Sequence, residues 1–249
     1  MQFGTGALSD PRGRYVTGAQ RLLGSDTPPP RAMGLEEHRP PIWDQGRSES
    51  CMGMWGARAC TILWRAGGYG NAIFSPWAVY VLGRCVDSVS YTSPIYDVGA
   101  RPNDVCRAIE EFGVAPIDAW PVSLATVNQR PTEAQMAACE AFDSFLYRKI
   151  YTVDEDLVLD VKRALASGLP VGGHVDVDQG LLDYSGGVLG ASQGNNTGAR
   201  HMLTVWGYDG DVFYIDGSWG RVYGEQGVMR VSPDFLFRMQ DLTVLRIGR

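Results

Sequence analysis

At 249 residues, with 45% apolar side chains, the chain is long enough to bury a substantial core, as one large domain or a two-lobed unit. Twenty-two basic against 28 acidic residues leave a formal charge of −6, and no Lys/Arg cluster forms a phosphate-tracking stripe, which argues against a nucleic-acid partner. The five cysteines (Cys51, Cys60, Cys85, Cys106 and Cys139) are odd in number and form no CxxC pair, so neither a disulfide framework nor a zinc site is indicated. The N-terminus lacks the continuous apolar stretch of a signal peptide, and nowhere do about 18 apolar residues run together. The expectation is therefore a soluble, cytoplasmic protein that does not bind membranes, with incorporation into a larger particle left open.

Along the chain, residues 1–28 are polar and Gly-rich and close on "TPPP", the pattern of an arm. Within it "TGAQRLLG" has the spacing for one or two amphipathic turns. A second proline-marked approach, "HRPPIWDQG", leads to Ser50, an N-cap candidate for a helix whose apolar side holds Met52, Trp55, Ala59, Ile62 and Leu63. Gly67-Gly68 is its stop.

A helix over 103–112 is predicted from Val105, Ile109 and Phe112, with Gly113 ending it. "TEAQ" at Thr132 and "TVDE" at Thr152 have the form of capping boxes, and the second of these helices ends at Gly168. After Pro170 the runs "VGGHVDV", "HMLTVWGYD", "VFYID" and "VMRV" are short, β-prone and separated by glycine-bearing turns, Asp209-Gly210 among them. Helices first and strands later imply an α+β fold over residues 29–249, with a helical lobe at about 45–165 and a β lobe at about 166–249. A binding site is expected in the cleft between them.

A thiol becomes nucleophilic when it ionises, and a helix N-terminus stabilises the thiolate through its dipole and unpaired N–H groups. Cys51 stands at such a position. Of the three histidines, His38 reads as a surface residue, whereas His201 opens a strand after the loop "GNNTGAR" and can project from a rigid element. His201 is the candidate base. By themselves a Cys and a His so far apart in sequence carry little weight.

The pattern around them carries more. "DQGRSESC", followed much later by "GARHMLTVWGYDGDVFYIDGSWGRVYGEQGVMRV", resembles the papain-like cysteine peptidases. The likeness extends from about Pro40 to Phe235 and includes "SPWAVY", "DVGARPNDVCRAIEEFGVAPIDAWPV" and "LPVGGHVDV", in the manner of the small microbial members. It implies a papain-like two-lobed fold, with an antiparallel β-barrel-like second lobe and the active-site cleft between lobes. It also implies a cysteine endopeptidase or related thiol hydrolase that acts on peptide or protein substrates without metal or organic cofactor. On this resemblance Cys51 is the nucleophile, His201 the base, Gln45 the oxyanion donor and Trp219 the shield over the histidine. Oxyanion donors contribute roughly 3–4 kcal/mol each.

Several positions depart from the pattern. The place of the family's Asn is taken by Gly217, and Asp216 beside it is the candidate orienter of His201, against the alternative of an exposed hairpin-end carboxylate. Glu49 replaces a Gly two residues before the nucleophile, where it either faces the cleft, opposing thiolate formation or selecting a basic substrate, or turns outward. Ser50, His174 and Ala199 complete the expected substrate-facing set, His174 reading as a pocket wall or a hydrogen-bonded core residue. Ser48 replaces a cysteine bridged in secreted members. The arm reads as a minimal plug or as an attachment segment to a larger assembly. The rival reading is a weakened or inactive papain-like domain that serves as a structural component.

Overall fold

The computed structural model describes residues 4–7, 28–86, 94–152, 154–191 and 193–248. The short strand β1 (Ala32–Gly34) precedes the central helix α1 (Cys51–Ala66). Helix α1 is buried on every side from Cys51 to Leu63, so its apolar face is wider than its heptad-like spacing implies. The cause is packing on both flanks: α2 (Pro76–Cys85) and α3 (Pro102–Phe112) lie on one side and the sheet on the other. Gly53 admits the backbone of α2, since a Cβ there would fall 2.4 Å from the Pro76 carbonyl oxygen.

Ser75 caps α2 by accepting from the N–H groups of Trp77 and Ala78, with Pro76 at the first helical position. Helix α3 stops at Gly113, whose φ of +75° suits glycine. The predicted capping box at Thr132 is formed in full, with Gln135 bonding back, and opens α4 (Glu133–Glu140). Strand β2 (Phe145–Lys149) follows, then α5 (Asp154–Ala166), with Gly168 beyond it at φ +78°.

The second part supplies β3 (Val171–Asp178), the short α6 (Gln179–Leu182), β4 (Val188–Leu189), the long β5 (Asn196–Asp209), β6 (Val212–Asp216), β7 (Val228–Val231), α7 (Pro233–Leu236) and β8 (Gln240–Ile247). The strands hydrogen-bond in the order β2-β8-β3-β5-β6-β7-β4, and β1 joins the far end of β5. The sheet does not close on itself, and its last pair, β4 with β7, is parallel. The expected α+β, papain-like arrangement is present, its β lobe an open sheet that is antiparallel except at β4–β7.

Strand β1 precedes the part read as helical and β2 lies within it, yet both pair into this sheet. Two apolar cores result. One gathers α1, α2 and α3, and the other lies on the sheet with α5. Cys51 and Met202 belong to the first core, Leu203 and Trp219 to the second, so the seam between the cores runs through the candidate site.

Candidate active site

Cys51 is the first residue of α1 and fully buried. Its predicted cap does not form through the side chain: the Ser50 hydroxyl lies 2.6 Å from that of Ser48, which donates to the Gln45 carbonyl at 2.8 Å. This bonding shapes the loop that presents Gln45. The Gln45 amide is fixed at both ends. Its Oε1 accepts from Ser218 Oγ at 2.5 Å, and its Nε2 donates to Ser48 O at 2.7 Å and to Thr5 O at 3.1 Å.

Opposite stands His201 on β5, buried and stacked on Trp219 with ring centroids 4.2 Å apart and planes 23° from parallel. The backbone N–H of Met202, the next residue on β5, favours the ionised form of the Cys51 sulfur, and Cys51 and Met202 share one core. Burial pushes the Cys51 thiol up to about 12, the charge of Glu49 pushes in the same direction, and three backbone N–H groups pull against them. Burial, with the nearby Arg58 guanidinium, lowers His201 to about 3. Thiol and imidazole are therefore both neutral in this state.

Neither ring nitrogen of His201 has a hydrogen-bond partner among the described residues. The expected orienter is engaged elsewhere. Asp216 accepts from Arg39 Nη2 at 2.7 Å, Arg39 Nε at 3.0 Å and Trp206 Nε1 at 2.9 Å, and its Oδ2 lies 3.3 Å from Arg58 Nε. Strand alternation explains this: Asp216 and Gly217 face opposite ways, and Gly217 is the one turned to the ring. A Cβ at Gly217 would lie 3.7 Å from His201 Nε2. The exposed-carboxylate alternative does not hold either, since Asp216 is fully buried.

The groove over Cys51 is occupied by the chain's own N-terminal segment. Thr5 O meets Gln45 Nε2, Gly4 O accepts from Trp219 Nε1 at 2.9 Å, and the N–H of Gly6 reaches Arg200 O at 3.2 Å. On the other wall Ala100 N–H donates to Gly6 O at 2.9 Å, and Ala7 bridges Ala100 in parallel. Thr5 Oγ1 donates to Glu49 Oε2 at 3.0 Å, so Glu49 faces the groove. Its own N–H is held by Asp97, which also accepts from Tyr80. Sequence reasoning missed Arg39, Arg58, Asp97 and the contacts of residues 4–7; the glycines of "GTG" were the one available signal for the last of these. The amphipathic turn read in "TGAQRLLG" lies outside the described residues.

His174 is buried, with Nε2 3.0 Å from Asp241 Oδ2, the arrangement of a hydrogen-bonded core histidine. Ala199 is half-buried on β5, two residues before His201. Among the described residues no three His, Cys, Asp or Glu side chains are grouped to hold a metal. Among the described residues no two cysteines form a disulfide. A surface hollow of about 590 Å³, lined by Met33, Arg39, Trp206 and Tyr214, lies away from Cys51 and His201.

Residues 120–238, which carry His201 and Trp219, match the family model described as papain family cysteine protease. That match covers just under half of the chain. Solved structures agree with it in fold over nearly the whole length, including the half that carries Cys51. It superposes on xylellain, a cysteine protease from Xylella fastidiosa, with TM-score 0.79 and 21% identity over 99% of this chain and 97% of that one. Digestive procathepsin L 3 of Tenebrio molitor larval midgut gives 0.69 and 18%, covering 90% and 72% of the two chains. The Carica candamarcensis cysteine protease CMS1MS2, in complex with E-64, gives 0.69 and 19% over 88% of this chain and all of that one. No curated protein is a match in sequence. Family and fold make this chain a papain-like cysteine peptidase acting on peptide or protein substrates.

Proposed function

We propose that hydrolysis runs through an acyl-enzyme on Cys51, with His201 as its base and Gln45 as oxyanion donor. The observation that carries this assignment is the Thr5 carbonyl held by Gln45 Nε2 at 3.1 Å, a peptide carbonyl seated beside the Cys51 end of α1. The Cys51 proton passes to His201, and the thiolate attacks the substrate carbonyl carbon. Gln45 Nε2 and the Cys51 N–H hold the oxyanion. Imidazolium protonates the leaving amine, then neutral imidazole deprotonates the water that releases the acid and regenerates the thiol.

The described state is latent. Residues 4–7 occupy the donors a substrate needs and exclude the water that would solvate a thiolate–imidazolium pair. Their departure removes the burial that keeps both groups neutral. The arm is thus a plug on this reading, and the four residues described in it are committed to the groove rather than to attachment.

The experiment is alkylation of the full chain by iodoacetamide with mapping of the adduct. Gly6→Leu brings a side chain against the Glu49 carbonyl, because a Cβ at Gly6 would lie 2.1 Å from that oxygen. This variant should modify Cys51 at least about tenfold faster than the unaltered chain, and adding His201→Ala should abolish the gain. Equal, ordinary thiol rates in all three chains would favour a binding component over a peptidase.

A further inference from the structure

We infer that Glu49 makes the subsite beside the oxyanion donor selective for a cationic substrate side chain, lysine or arginine, on the residue whose carbonyl meets Gln45. The inference rests on the hydrolytic reading above and gives that reading its substrate class. Thr5 serves as the template. One and the same residue places its carbonyl on Gln45 Nε2 and its hydroxyl on Glu49 Oε2, at 3.1 and 3.0 Å. A side chain entering beside Gln45 therefore arrives at a carboxylate.

Three features make that carboxylate a selector rather than a solvated charge. First, the Glu49 backbone is fixed, its N–H donating to Asp97 Oδ1 at 2.9 Å, and Asp97 is in turn held by Tyr80 Oη at 2.6 Å. Secondly, Asp97 adds a second carboxylate behind the first, its charge partly offset by the Arg84 guanidinium over the Tyr80 ring. Thirdly, among the described residues no basic side chain pairs with Glu49, although Asp216, Asp178 and Asp241 each have one. The half-buried Glu49 thus keeps an acceptor oxygen for an incoming donor. Threonine satisfies it with one neutral hydrogen bond. An ammonium or guanidinium would satisfy it with a charge-assisted one, the stronger kind.

The same carboxylate discourages ionisation of Cys51. A cation bound at Glu49 offsets this, so the preferred substrate also favours the reactive thiolate. The preference then enters both the binding and the chemical step, and kcat responds along with KM.

The test uses full-length Gly6→Leu protein and peptides that differ only in the residue before the cut: lysine, its uncharged isostere norleucine, or glutamate. Lysine should exceed norleucine by about tenfold in kcat/KM, the scale of a hydrogen bond to a charged group. Glu49→Gln should collapse that ratio toward unity, and Glu49→Lys should transfer the preference to glutamate. The affinities of the same peptides for the Gly6→Leu, Cys51→Ser chain, read by fluorescence anisotropy, give the lysine-to-norleucine ratio without turnover. A ratio near unity in both measurements overturns the inference while leaving hydrolysis standing. A lysine preference in binding with no peptide cleaved by the Cys51 chain upholds Glu49 and overturns the hydrolytic reading instead.

Discussion

Gly217 leaves the His201 imidazole without a fixed partner on its Nε2 side among the described residues, and the space for one is present. Its added Cβ would contact His201 Nε2, Leu203 and Met229 at 3.7–4.0 Å, ordinary packing distances. Gly217→Asn in the Gly6→Leu chain should therefore raise kcat/KM by about tenfold, a modest part of the contribution of a positioned acid–base group. Its pH–rate profile should widen on the alkaline side as the imidazolium is stabilised, and an unchanged rate and profile would show the ring to be held adequately by Trp219. At this scale Cys51, Gln45, His201 and Trp219 could be named as candidates because each sits in a continuous motif. The partners of Asp216 were not, since Arg39 lies 177 residues away in sequence and is brought there by the fold alone.

Elements were legible where the signal is local. Thr132 and Gln135 announce α4 within four residues, and Gly113 and Gly168 stop their helices where a positive φ is needed. Strand β2 was not legible: "FLYRK" has a deeply buried residue only at Phe145 and gains its identity by pairing with β8, about a hundred residues later. Spacing also understates how closely α1 lies on the sheet. A Cβ at Gly172 would fall 1.9 Å from Trp55 Nε1, so β3 approaches α1 without a side chain between them. Gly172→Ala should destabilise the protein by about 1–3 kcal/mol, seen as a Tm lower by several degrees in thermal denaturation. An unaltered Tm would mean that Trp55 swings aside without cost.

Over the whole molecule, two neutral groups buried under the chain's own N-terminal segment tie stability to pH. His201 is lowered from 6.5 to about 3, so on acidification the unfolded chain takes up a proton that the native chain does not. Its contribution is complete above pH 6.5 and is lost as pH falls toward 3. Cys51 is raised from 9.0 to about 12, so its contribution is complete below pH 9.0 and is lost as pH rises toward 12. Each group alone gives a slope of about 1.4 kcal/mol per pH unit within its window. Urea denaturation across pH should show both limbs, with His201→Gln flattening the acid one and Cys51→Ala the alkaline one. Unchanged limbs in these variants would assign the pH dependence to other groups. Composition foretold none of this, because it depends on residues 4–7 lying over a site formed from distant parts of the chain.

Arg58 on the central helix and Arg39 before it grip one desolvated carboxylate at the end of β6. This makes an electrostatic rivet through the seam where the two cores meet. Removing either arginine would leave Asp216 with less compensation in a buried site, at a cost of roughly 3–5 kcal/mol. On the hydrolytic reading, the strap of residues 4–7 is what must leave, since this rivet ties the two walls of the groove to each other.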